Sequence, residues 1–108
     1  MDRDGLVLGE GAGFLVLESE ESVKKRGIKP IAQIVGFGST SDGTHVTQPN
    51  PNTMKEAMIL ALKSANLSPK DIGYINAHAT STTLGDIAES KATNELFGEN
   101  IAISSTKS

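Results

Sequence analysis

Not one of the 108 residues is a cysteine. That excludes disulfides, thiolate metal sites and a thiol nucleophile supplied from within the chain. Tryptophan is also missing, and aromatic residues make up only 4%. The hydrophobic share of 37% is low for a self-contained core, and its Ala, Ile, Leu and Val suit closely packed helix-on-sheet layers. Ten basic residues face thirteen acidic ones, for a net charge of −3. Phosphate recognition needs a basic face, so nucleic acid is not an expected partner. Every apolar run falls far short of the roughly 20 residues of a membrane span, so no membrane association is expected. Asp2, Arg3 and Asp4 follow Met1 directly, in place of the regions of a signal peptide. The expectation is a soluble, cytoplasmic protein. Its first apolar stretch begins almost at Met1 and its last ends near Ser108, as in a segment of a longer protein.

What is present alternates regularly. Gly5 to Leu17 reads as an extended, glycine-interrupted strand. Ser19 can cap a short helix with Glu20 and Glu21 in its first turn, Lys24, Lys25 and Arg26 in its last, and Gly27 as its stop. A strand is expected over Ile31 to Gly38, followed by a turn-rich stretch from Ser39 to Pro51. Thr53-Met54-Lys55-Glu56 has the capping-box pattern. Behind it Met54, Ala57, Met58, Ala61, Leu62 and Ala65 recur at spacings of three and four, one face of a helix. Ser68-Pro69-Lys70-Asp71 predicts a short helical turn. A strand leads to His78, a third helix is expected from about Leu84 to Phe97 with Ile87, Ala88, Ala92 and Leu96 inward, and Ile101 to Ser105 forms the last strand. This βαβαβαβ order defines an α/β layered fold.

Chemistry concentrates in Asn76-Ala77-His78-Ala79-Thr80-Ser81-Thr82-Thr83-Leu84-Gly85-Asp86-Ile87-Ala88-Glu89. An imidazole at the C-terminal end of a strand occupies a common address for catalytic groups in α/β folds, and Asn76, Thr80 and Thr82 flank it in a loop suited to ligand contacts. Asp86 and Glu89 share one side of the third helix's first turn. Thr83 and Asp86 fit a T-x-x-D cap, so Asp86 is as much a capping residue as a chemical one. Glu89 is placed to pair with a cation from a neighbouring strand, and Lys107 ends the last strand. Elsewhere the signals are structural. Gly9-Glu10-Gly11-Ala12-Gly13 lacks the spacing and lysine of a nucleotide loop. His45 has no metal-spaced partner. Ser39, Ser41, Ser104 and Ser105 lack the elbow of serine hydrolases and read as turn and strand-end residues.

The run Asn76 to Thr82 with Gly85-Asp86 resembles the first-histidine motif of the β-ketoacyl-acyl-carrier-protein synthases, usually N-A-H-G-T-S-T-P-x-G-D. Ser104-Ser105-Thr106-Lys107-Ser108 is similar to their S-S-T-K-S lysine motif. Asp2-Arg3-Asp4-Gly5 with Gly9-Glu10-Gly11-Ala12-Gly13 resembles their R-D-G-F-V-x-G-E-G-A-G strand, and Val35-Gly36-Phe37-Gly38 and Ser41-Asp42-Gly43 match as well. Three ordered motifs over the whole chain leave little room for coincidence in a generic α/β domain.

The resemblance implies a thiolase-like fold, two related α/β halves usually paired as a homodimer. Residues 1–108 would form a single segment spanning the end of the N-terminal half and part of the C-terminal half. It implies an acyltransferase of fatty-acid biosynthesis that condenses malonyl-carrier protein with an acyl-enzyme thioester by decarboxylation. The partner implied is acyl carrier protein bearing phosphopantetheine-linked acyl and malonyl groups; no cofactor and no metal are implied. His78 matches the first histidine, Lys107 the motif lysine and Glu89 the acid that contacts it. Thr80 and Thr82 match pantetheine-binding threonines, with Asp86 and Asn76 in support. The nucleophilic cysteine would precede the segment and the second histidine would follow it, so the segment alone is expected to be inactive. Two departures stand out: Ala79 replaces the usual glycine, which matters if that position needs positive φ, and Thr83 replaces the usual proline. A ketosynthase of a polyketide pathway, or a non-catalytic partner subunit that binds carrier protein, are the alternatives.

Overall fold

A computed structural model of the chain describes residues 5, 7–45 and 47–107. Asp2, Arg3 and Asp4 of the first motif, Val46 beside His45, and Ser108 of the lysine motif lie outside the described residues.

Among the described residues, three α-helices and a two-stranded parallel sheet form in the order α1 (Glu20–Arg26), α2 (Pro51–Ala65), β1 (Tyr74–Ala77), α3 (Thr83–Phe97) and β2 (Ala102–Ser105). Parallel strands cannot be joined by a tight turn, and α3 is the crossover between them. Register is fixed along the whole ladder: Tyr74 faces Ala102, Ile75 faces Ile103, Asn76 faces Ser104 and Ala77 faces Ser105. The α/β class is therefore as expected.

Local chemistry accounts for the helix ends. The Ser19 hydroxyl accepts the Ser22 N–H at 3.2 Å, and Gly27 stops α1 in the left-handed conformation at φ +63°. Helix α2 begins earlier than its capping-box pattern suggested. Asn50 caps it through the Asn52 N–H at 2.9 Å, Pro51 takes the first turn, and Thr53 instead donates its hydroxyl to the Asn50 carbonyl. Asn-Pro is the stronger start, because proline lacks the N–H that a first turn leaves unpaired. The 3₁₀ turn Pro69–Asp71 closes as expected: Asp71 accepts both the hydroxyl and the N–H of Ser68, at 2.7 and 2.8 Å. Those two donors hold the Asp71 carboxyl below its usual range. The stabilisation is present above the ordinary carboxylate pKa and is lost as pH falls through the depressed value.

Helices α2 and α3 pack on each other, with Leu62, Ala88, Ala92 and Thr93 buried and Lys55 paired to Glu95 at 2.5 Å. Ile87 is 60% exposed rather than inward. The buried stripe runs through 88, 92 and 93, and position 87 lies about 100° away from 88 around the helix. The segment with Gly36 and Gly38 crosses the small-residue face of α2. A methyl added at Gly36 would fall 2.7 Å from the Ala65 Cβ, and one at Gly38 2.6 Å from the Ala61 nitrogen. Only glycine permits that approach.

Among the described residues, the two strands expected over Gly5–Leu17 and Ile31–Gly38 do not form. A strand exists through its ladder, and these segments have no hydrogen-bonded neighbour among the described residues. Phe14, Leu15, Val16 and Leu17 are 96, 90, 87 and 73% exposed, so consecutive side chains, which alternate faces in a strand, are uncovered on both sides. The radius of gyration is 16.5 Å, against about 13 Å for a compact domain of this size. No large side chain is fully buried among the described residues.

The isolated 108-residue chain should therefore self-associate and bind an apolar dye, since bare apolar stretches invite association. Light scattering and dye fluorescence at micromolar concentration check this; a strictly monomeric, dye-silent chain would show that these residues find cover among themselves.

Candidate active site

The parallel ladder ends at Ala77 and Ser105 together, so the residues that follow each strand emerge side by side. His78 leaves β1 and Lys107 lies two residues beyond β2. The lysine Nζ reaches the His78 Nδ1 at 2.8 Å and the His78 carbonyl at 2.5 Å. An ammonium has three donors and no acceptor, so Nδ1 must accept and the ring proton resides on Nε2. The lysine contact thus favours the tautomer whose outer nitrogen is a donor.

Glu89 stands one turn into α3. Its two carboxylate oxygens accept the backbone N–H groups of His78 and Ala79, each at 2.8 Å. The acid was expected to contact the lysine. With both oxygens engaged by amides, it clamps the loop to the helix while Lys107 turns to the histidine. The clamp holds an unfavourable backbone: Ala79 lies at φ +31° and Ser81 at φ +64°. Ala79 does occupy a position of positive φ, where the family's usual glycine carries no penalty.

Thr80 and Thr82 share a hydroxyl contact at 3.0 Å. Thr82 is the N-cap of α3 and Thr83 its first residue, one position from the expected cap. Thr82 makes no side-chain cap, so its hydroxyl lies with Thr80 instead. Gly85 leaves room for this, since a Cβ there would fall 2.5 Å from the Thr82 Oγ1. Asp86 donates its N–H to the Thr82 carbonyl at 2.9 Å and is half-buried in the first turn. Asn76 is exposed in β1 opposite Ser104 and is not drawn into the cluster. His45 bonds to Thr47 within its own loop at 2.8 Å, as its structural assignment implied.

Sequence reasoning missed Ser105. Its hydroxyl accepts the Lys107 N–H at 3.0 Å and faces the Ala79 carbonyl at 3.5 Å. The signal was the Ser-x-Lys spacing, in which a hydroxyl accepts the N–H two residues on. Among the described residues no group of three His, Asp or Glu side chains could hold a metal ion, and no helix is long and apolar enough to cross a membrane.

A strand-end histidine with its tautomer set by a lysine, beside two loop threonines, is an arrangement able to stabilise a developing oxyanion. The family described as "Beta-ketoacyl synthase, C-terminal domain" matches residues 31–108. The chain belongs to the beta-ketoacyl synthase family. It is 50% identical to the 3-oxoacyl-[acyl-carrier-protein] synthase 2 of Staphylococcus aureus, over 98% of this chain and 28% of that protein. Among solved structures, a beta-ketoacyl synthase from Burkholderia phymatum STM815 is 54% identical with a TM-score of 0.80, over 82% of this chain and 22% of its own. A type II PKS acyl-carrier protein in complex with its ketosynthase gives 38% identity and a TM-score of 0.75, over 82% and 23%. The chain thus spans about a quarter of the length of the curated relatives it matches, and its α/β fold is part of the thiolase-like fold of the ketosynthases.

Replacing Ala79 by glycine should stabilise the protein. A left-handed alanine costs roughly 1–2 kcal/mol, while glycine adds about 0.4–1 kcal/mol of unfolded-state entropy. The net gain expected is about 0.8 kcal/mol, within a range of roughly 0 to 1.6, read as a higher urea midpoint; a lower midpoint would mean that the loop holds alanine without strain.

Proposed function

We propose that residues 1–108 are a segment of a 3-oxoacyl-[acyl-carrier-protein] synthase of fatty-acid biosynthesis, spanning the end of its N-terminal half and part of its C-terminal half. The enzyme acts in the cytoplasm as a homodimer, on acyl and malonyl groups carried by the phosphopantetheine of acyl carrier protein. The observation that carries the proposal is the Lys107 contact to Nδ1, which leaves Nε2–H of His78 as a donor.

In this reaction the carboxylate of the malonyl thioester leaves as carbon dioxide. The electron pair of the broken C–C bond moves into the thioester, placing negative charge on its oxygen. The His78 Nε2–H donates to that oxygen and lowers the barrier without a net charge on the ring. The carbanion then attacks the acyl thioester held on a cysteine, which departs as thiolate; that cysteine and the second histidine come from outside these residues. Thr80 and Thr82 donate to the pantetheine arm, and Lys107 and Glu89 fix the histidine, one through its ring and one through its backbone. Identity supports the fatty-acid branch: 50% and 45% to two synthase 2 proteins over nearly the whole chain, against 38% to the ketosynthase bound to a PKS carrier protein.

Incubated with labelled acyl-carrier protein, the isolated chain should form neither a stable acyl adduct nor ketoacyl product, because the nucleophile works as part of a unit. Either product would show that these residues hold an acyl group by themselves.

In the full-length synthase, His78→Ala should depress decarboxylation of malonyl-carrier protein by about 100- to 1,000-fold, the usual effect of losing one oxyanion donor. Acyl loading should fall much less. Carbon dioxide release and acyl transfer measure the two half-reactions separately; normal decarboxylation with failed loading would overturn the role given to His78.

A further inference from the structure

Ser105 is the last residue of β2 and the register partner of Ala77, the residue before the histidine. From there its hydroxyl touches both sides of the site. It accepts the backbone N–H of Lys107 at 3.0 Å, and as a donor it faces the carbonyl of Ala79 at 3.5 Å. One acceptor role and one donor role suit a single hydroxyl. The side chain is half-buried, whereas His78 and Lys107 are exposed.

We propose that Ser105 is a positioning residue that keeps the His78 ring in its Nε2–H form by fixing where Lys107 departs from the sheet. This rests on the donor role given to His78 above. The lysine has a long, freely rotating stem, and its Nζ must meet Nδ1 and the His78 carbonyl together. A tight turn from Ser105 to Lys107 limits the directions its backbone can take. The same hydroxyl faces the carbonyl of Ala79, at φ +31°, while Glu89 holds that residue by its N–H. Ser105 is thus a second side chain, beside that of Lys107 itself, that links the lysine turn to the histidine loop. Removing the hydroxyl frees both, and Nδ1 loses its steady donor.

The test uses the full-length synthase with its histidines labelled with nitrogen-15, comparing wild type with Ser105→Ala, Ser105→Thr and Ser105→Val. Threonine and valine have the same shape, so that pair isolates the hydroxyl even if alanine perturbs the fold. Ring nitrogen shifts report the His78 tautomer, and carbon dioxide release gives kcat and KM for malonyl-carrier protein. In wild type and Ser105→Thr the ring should be the single Nε2–H tautomer. In Ser105→Ala and Ser105→Val it should be a mixture, with kcat down about tenfold, the equivalent of about 1.4 kcal/mol in the barrier, and KM unchanged. An unmixed Nε2–H ring in the valine variant, or equal behaviour of valine and threonine, would overturn the proposal. A mixed tautomer with full decarboxylation would uphold the positioning by Ser105 and overturn the donor role of His78.

Discussion

Everything at the site depends on β1 and β2 running parallel, in register, and ending on the same rung. Because Ala77 and Ser105 are partners, the chain leaves the sheet twice at one place, and the imidazole and the amine come into contact although 29 positions separate them. A one-residue slip would carry the side chains of β2 to the opposite face and take Ser105 away from the Ala79 carbonyl. The ladder is only four residues long, so its register also depends on α3, which spans the gap and anchors its own first turn beside the strand end.

The loop between β1 and α3 has a conflict that Glu89 resolves. Two non-glycine residues with positive φ cost roughly 1–2 kcal/mol each. Hydrogen bonds to a charged group contribute about 1.5–3 kcal/mol each, and Glu89 accepts two from consecutive amides. The clamp therefore matches or exceeds the strain it holds. This is why the acid serves the backbone and not the lysine. A carboxylate one turn into a helix can satisfy two N–H groups that the turn leaves pointing at it, while the lysine finds an acceptor in the ring.

Much of this was legible in the sequence, and the residues show why. The charge order of α1, the spacing of Ala57, Ala61 and Ala65, and the cap at Ser68 depend on neighbours within a few positions, and each behaved as its local chemistry dictates. His78, Thr80, Thr82, Glu89 and Lys107 were identifiable as candidates because strand ends and helix starts are readable from periodicity. Their partners were not. Glu89 contacting amides, and Ser105 linking two loops, depend on the register between distant strands, which no local pattern encodes. The expected strands over Gly5–Leu17 and Ile31–Gly38 failed for the same reason: alternation and β-propensity describe a segment ready to pair, but a ladder needs a neighbour. Ala79 sits between these cases. Its departure from glycine was visible, and only the backbone angle showed that the departure has a cost.

The same contrast sets an order in time. The contacts of the site close loops of modest length, 11 residues from His78 to Glu89 and 29 from His78 to Lys107. Loop-closure entropy grows slowly with length, and short-range contacts form early in folding. The run Phe14–Leu17 is made before β1 during synthesis, yet it has no cover in these residues and must wait for a remote surface. The candidate site is thus assembled from contacts near one another in sequence, while the bare Phe14–Leu17 stretch, made before them, is the part of these residues most in need of protection.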